Sequence, residues 1–223
     1  MNKEQQLLEY LSQFLTDERK SQLEKVLQER TRHFTIALEN IFQGHNSNAV
    51  IRTCDCFGIQ DCHVIETFNK FSSSVGVSKG AIKWVDVIKY DSAIAAIQHL
   101  KNEGYQIVAT TPHTNDCNLA DFDVSKKSVF FFGAEKKGVS KEVMQHADVF
   151  LKVPMFGHTE SLNISVSAAI ILQSVSQRIR KEEIDWKLSK ENQDQIYLNW
   201  VKKCTKRLPT HLKNFEEIYK ARQ

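Results

Sequence analysis

Apolar residues recur along this chain with two different spacings, and the change from one to the other divides it. Between 3 and 30, Leu7, Leu8, Leu11, Phe14 and Leu15, then Leu23, Val26 and Leu27, fall three or four apart, which is the period of a helix with one apolar face. Thr16-Asp17-Glu18 interrupts the run and predicts two short helices. From Phe34 onward, short β-branched and aromatic runs take over, at 34–38, 62–65, 83–87, 105–110, 128–132 and 149–153. Helical patterns lie between several of them, at 46–56, 92–101, 141–146 and 161–180. Short apolar strands alternating with helices predict an α/β fold whose mainly parallel sheet is covered on both faces. Beyond Trp186, Ile196, Tyr197, Trp200 and Val201 return to helical spacing. The expected organisation is an N-terminal helical extension at 1–32, a central domain at 33–182 and a C-terminal helical extension at 183–223.

Composition narrows this picture. Only 8 Gly and 3 Pro occur in 223 residues, and no Ser/Gly-rich or Pro-rich stretch suggests a flexible linker. The amphipathic start is no signal core, and no apolar run approaches membrane-spanning length. The expectation is a cytoplasmic protein without a membrane partner. Five cysteines, an odd and irregular set, argue for free thiols. Cys54-x-Cys56 near Cys62-His63 contains no CxxC pair, so metal binding is not expected, and Cys54 and Cys56 read as packing residues. The net charge of +3 is mild, but Arg178 and Arg180, and Lys202, Lys203, Lys206 and Arg207, gather in two groups. They read either as a surface that tracks RNA phosphates or as solvated helix faces.

In a parallel sheet, ligands bind beyond the carboxyl ends of the strands, which directs attention to the loops at 110–112, 133–138 and 154–163. Gly133-Ala134-Glu135-Lys136-Lys137-Gly138-Val139-Ser140 has glycines at P-loop spacing, but Val139 stands where the phosphate-binding lysine should follow the second glycine. No GxGxxG opens a helix after a strand either. In the third loop, Ser161 reads as the cap of a helix that is apolar nearly all round through Leu162, Ile164, Val166, Ile170, Ile171 and Leu172, and hence buried. Ser165, Ser167, Ala168 and Ala169 would let another backbone approach it, within the chain or across a subunit interface. Arg52 sits on an otherwise apolar helix that begins near Asn46.

Together these stretches resemble the three signature motifs of the SpoU family of RNA 2′-O-methyltransferases in the SPOUT superfamily. The first is N-x-x-A-x-x-R-T through Asn46, Ala49, Arg52 and Thr53. The second is F-G-x-E-x-x-G-V-S through Phe132, Gly133, Glu135, Gly138 and Ser140. The third is V-P-M-x-G-x-x-x-S-L-N-x-S-V through Pro154, Met155, Gly157, Ser161, Leu162 and Asn163.

The resemblance implies a SPOUT-type sheet whose C-terminal part forms a trefoil knot, with S-adenosylmethionine held in the knot loops at Thr110, Gly133, Val153 and Leu162. It implies that Arg52 acts on the 2′-hydroxyl with Asn46, Glu135, Ser161 and Asn163 in support, in a homodimer and without a metal. Because guanidinium is effectively always protonated, Arg52 is expected to bind phosphate and orient the hydroxyl, and whether it is the base stays open. Helical arms at both ends with a basic C-terminal segment resemble the family members that methylate guanosine-18 of tRNA. A ribosomal RNA 2′-O-methyltransferase and a catalytically silent RNA-binding factor are the alternatives.

Overall fold

The computed structural model describes residues 2–68, 80–112, 116–135 and 137–221; Lys136 of the 133–138 loop lies outside the described residues. Two compact units emerge, Thr31–Trp186 and a second that combines Met1–Arg30 with Lys187–Gln223.

The larger unit is built on seven strands, β1 (Phe34–Glu39), β2 (Asp61–Ile65), β3 (Asp86–Tyr90), β4 (Gln106–Thr110), β5 (Cys117–Asn118), β6 (Ser128–Phe132) and β7 (Val149–Lys152). Among the described residues these strands pair in parallel, in the order β3-β2-β1-β6-β4-β7-β5. The central strands β1 and β6 are buried along their whole length, as helices on both faces require. Successive side chains of a strand point to opposite faces. Phe130 and Phe132 therefore enter one core with Phe34, Ile36 and Leu38, whereas Val129 and Phe131 enter the other with Ala37 and Ile107. The first core is closed by α3 (Gly44–Cys56) and α6 (Ile164–Ile179), which pack together, and the second by α4 (Ala93–Asn102) and α5 (Lys141–His146).

The structure moves several expected boundaries. The third strand starts at Asp86 rather than 83, because Ala81–Lys83 winds into a 3-10 turn whose N-cap, Gly80, has a left-handed φ of 85°. The short edge strand β5 has no hydrophobic period and was not expected. Helix α6 begins at Ile164, and its cap is Asn163 rather than Ser161: Asn163 Oδ1 accepts from the Ser165 backbone N–H at 2.8 Å. Nor is α6 buried all round, since Val166 and Ile170, one turn apart, stay 44% and 37% exposed. Cys54 is a core residue, but Cys56 is exposed and does not pack inside.

The second unit assembles the two ends of the chain. It holds α1 (Lys3–Ser12), α2 (Asp17–Leu27), α7 (Lys190–Cys204) and α8 (Leu208–Lys220). Helix α7 packs on α1 and α2, and α8 packs on α1. Asn2 and Gln5 form a reciprocal capping box at the start of α1, and Thr16 caps α2. The Arg30 guanidinium lies 5.2 Å over the Trp200 ring, and Tyr197 donates its hydroxyl to Glu24 at 3.3 Å. Among the described residues no helix is long and apolar enough to cross a membrane.

Candidate active site

The three loops singled out above follow β4, β6 and β7, which are neighbours in the sheet, so they converge beyond its carboxyl edge. Between them and the first turns of α3 and α6 lies a cleft of about 410 Å³. Thr110, Gly133, Val153 and Leu162, the four expected cofactor positions, all line it, together with Asn46, Glu135, Ser161 and Asn163. Leu151, Val153, Ile164 and Ile171 supply apolar wall.

Gly133 is the tightest point. A Cβ placed there would stand 1.9 Å from the carbonyl carbon and oxygen of Gly138 and 2.1 Å from the Val139 nitrogen. The loop returns on itself so closely that only hydrogen fits. Gly138, at φ 67°, makes the return and donates its N–H to the Ala134 carbonyl at 2.8 Å. Ser140 then caps α5, and its own N–H is held by the buried Glu39 carboxylate at 2.8 Å. Thr110 uses its hydroxyl to bind the Phe131 carbonyl at 2.7 Å, which ties the end of β4 to that of β6.

One hydrogen-bonded chain crosses the mouth of the cleft. Asn163 donates Nδ2 to Asn46 Oδ1 at 3.2 Å, and Asn46 donates its own Nδ2 to Glu135 Oε1 at 2.9 Å and to Gln43 Oε1 at 3.3 Å. Glu135 also accepts the backbone N–H of Phe42 at 3.2 Å and of Gln43 at 3.4 Å. Burial alone would raise the Glu135 pKa, but the hydrogen bonds from Asn46 and from the backbone N–H groups of Glu135, Phe42 and Gln43 outweigh it, and the carboxyl sits below its usual range. Glu135 is thus an ionised anchor with its oxygens already occupied. Gln43 and Glu39 were not singled out in the sequence; Gln43 is legible only as the residue that leads into the α3 turn.

Arg52 is not among the lining residues. It lies six residues beyond Asn46 on α3, about 9 Å along the axis and about a third of a turn around it. The side chain is exposed and makes no hydrogen bond or ion pair among the described residues. Thr53, in contrast, turns back to the Ala49 carbonyl at 3.0 Å.

Of the expected RNA-binding residues, Arg178 donates to the Leu119 and Phe122 carbonyls. Arg180 donates to the Ser176 carbonyl and lies 4.7 Å over the Trp186 ring. Both guanidiniums are half-buried and engaged with their own unit. Lys203, Lys206 and Arg207 are exposed at the α7–α8 turn, with Lys202 half-buried beside them. Among the described residues, no group of three His, Cys, Asp or Glu side chains is placed to hold a metal ion.

A glycine-pinched cleft at the carboxyl ends of three adjacent parallel strands is where α/β proteins bind small molecules. The family model described as the SpoU rRNA Methylase family matches residues 33–173, and the chain belongs to that family. It is 42% identical over 196 residues to the tRNA (guanosine(18)-2′-O)-methyltransferase of Borreliella burgdorferi, covering 88% of this chain and 90% of that protein. The crystal structure of the A. aeolicus TrmH/SpoU tRNA modifying enzyme matches with a TM-score of 0.77 at 30% identity, over 86% of this chain and 98% of that one. The SpoU methyltransferase AviRb from Streptomyces viridochromogenes, solved in complex with the cofactor AdoMet, shares the fold with a TM-score of 0.60 at 18% identity, over 71% and 65% of the two chains.

Proposed function

We propose that this chain transfers a methyl group from S-adenosylmethionine to a ribose 2′-hydroxyl of tRNA, at guanosine-18. One observation carries the reading: residues from all three family motifs, Asn46, Gly133, Glu135 and Asn163, meet around a single cleft. The B. burgdorferi relative is named for this reaction, and the present chain spans nine-tenths of it.

The residues present fit the cofactor. The cleft volume of about 410 Å³ lies in the range of small-molecule sites, the bare backbone at Gly133 allows close approach, and the apolar wall suits an adenosyl group. When bound, S-adenosylmethionine supplies a sulfonium-activated methyl group to an oxygen nucleophile in line with it. The protein must align the sugar and accommodate the hydroxyl proton. Asn46 and Asn163 hold the polar rim, and Ser161 stands exposed at the mouth, in reach of a sugar. Glu135 fixes this arrangement rather than accepting the proton. Arg52 binds the target phosphate and orients the hydroxyl, and the proton passes to a phosphate oxygen or to water, because a guanidinium cannot take it.

The assembly we propose is a homodimer. Leu162, Val166 and Ile170 form an exposed apolar stripe beside the cleft, and a second copy covering it would complete a site from whose walls Arg52 is absent. The three loops beyond β4, β6 and β7 are the segments that a trefoil knot would tie. Lys202, Lys203, Lys206 and Arg207 on the helical unit, and Arg178 and Arg180 on the larger unit, would supply positive charge for the RNA phosphates. A chain acting on tRNA is placed in the cytoplasm.

Mass-spectrometric mapping of ribose methylation in total tRNA and ribosomal RNA, after incubation with the purified protein and S-adenosylmethionine, tests the reading. New methylation at the D-loop guanosine is expected. Modification of ribosomal RNA alone overturns the substrate, and no modification overturns the reaction.

A further inference from the structure

We infer that Phe42 is the platform on which the base of the target nucleotide stacks while its ribose is in the cleft. The inference rests on the RNA-methylation reading above and concerns a residue outside all three family motifs.

Phe42 is 78% exposed, and among the described residues no aromatic ring or cation lies against it. Its backbone is nonetheless fixed. The Phe42 N–H is held by Glu135 Oε2 at 3.2 Å. Ile41 before it is buried, Asn40 sits at a left-handed φ of 52° with its N–H on the Ile65 carbonyl at 3.0 Å, and Gln43 after it lines the cleft. A large apolar ring is therefore presented to solvent from a preorganised turn, at little entropic cost for binding. The Glu135 carboxylate that holds the Phe42 backbone also holds Asn46, so the turn that carries the ring and the polar rim share one anchor.

The chemistry of the substrate supplies the occupant. In a single-stranded RNA loop a base can be splayed out of its stack and restacked on an aromatic side chain. A base whose sugar sits at Asn46 and Asn163 needs an apolar plane next to that rim, and Phe42 immediately precedes Gln43, which lines the cleft. An aromatic plane there restores stacking without regard to base identity. The other exposed rings near the cleft are less suited. Phe68 already has the Lys137 ammonium 5.6 Å from its centroid, and among the described residues Phe156 makes no hydrogen bond to the polar rim.

The test compares wild type, Phe42→Leu and Phe42→Tyr for binding and methylation of a tRNA transcript and of the same transcript with an abasic target nucleotide. Loss of one aromatic–base stack weakens binding by about tenfold or more. Phe42→Leu should show that loss on the normal transcript, with S-adenosylmethionine affinity and oligomeric state unchanged, and Phe42→Tyr should restore it. On the abasic transcript wild type and Phe42→Leu should bind alike, as expected when both changes remove the same contact. Equal losses on both transcripts, or none on either, overturn the inference. So does dissociation of the Phe42→Leu oligomer, which would assign Phe42 to a subunit interface. Failure of wild type to bind the cofactor or to methylate any RNA instead removes the underlying reading, and is separately visible.

Discussion

Asn163 and Asn46 join the first turn of α6 to the first turn of α3, Nδ2 to Oδ1 at 3.2 Å. Asn163 performs this with one end of its amide while the other end caps α6. A single side chain thus serves helix stability and site geometry together, and the two roles can be separated. Asn163→Ala should lower stability by about 1 kcal/mol through the lost cap and weaken both cofactor binding and turnover. Asn163→Asp should keep the cap, and so the melting temperature, while still losing turnover because the donor to Asn46 is gone. Calorimetric unfolding and cofactor titration on both variants check this, and an unaltered cofactor affinity in Asn163→Ala would contradict the placement.

Gly133→Ala should be more severe than its single methyl suggests. The new carbon would overlap the Gly138 carbonyl, and overpacking of this kind costs about 1–3 kcal/mol. The loop must open to relieve it, so cofactor affinity should fall about tenfold or more. Isothermal titration with S-adenosylmethionine reads the loss directly.

Arg52→Ala should abolish methyl transfer while cofactor affinity stays near that of wild type, because Arg52 does not line the cleft. Arg52→Lys keeps the charge but not the planar fork, and should remain far below wild-type turnover. Retained methylation in Arg52→Ala would remove the residue from the mechanism.

Val166→Asp should yield a monomer with little activity and an intact fold, since the substituted side chain is exposed in the single chain. Light scattering coupled to size-exclusion chromatography, with circular dichroism as the control, decides it.

Acid should destabilise the protein through His63. The ring is buried in β2 with Nδ1 3.0 Å from the Tyr90 hydroxyl, and Nε2 is buried without a hydrogen-bond partner among the described residues. Burial, then the charges of His99 and Arg32, push its pKa down to about 3. The unfolded chain binds a proton near 6.5 that the folded chain refuses, so this contribution is complete above pH 6.5 and is lost as pH falls from there toward 3. The slope is up to about 1.4 kcal/mol per pH unit. Denaturant midpoints measured from pH 7 to 4.5 should decline less steeply in His63→Phe.

Much of this was legible in the order of residues because its causes are local. Strand β6 announces itself through Val129-Phe130-Phe131-Phe132, which only a doubly covered strand can bury, and Asn46, Glu135 and Asn163 stand at strand-to-helix junctions where ligands bind. The causes of the misreadings lie elsewhere in the chain. Ser161 and Asn163 are both good caps by type, and the choice between them was made by Asn46, more than a hundred residues away. Val166 and Ile170 look like core residues because periodicity marks an apolar face without telling whether the chain itself covers it. Phe42 carried no signal, since an isolated aromatic before a helix looks like any loop residue until Glu135 is seen to hold it.

The pairing of both chain ends in one helical unit bears on biosynthesis. Helices α1 and α2, of 10 and 11 residues, are too short to be stable alone in water, and their partner α7 is translated more than 150 residues later. Until α7 is made, α1 and α2 lack the helix they pack on. Removing α7 and α8 would therefore strip α1 and α2 of their packing partner rather than trim an independent appendage.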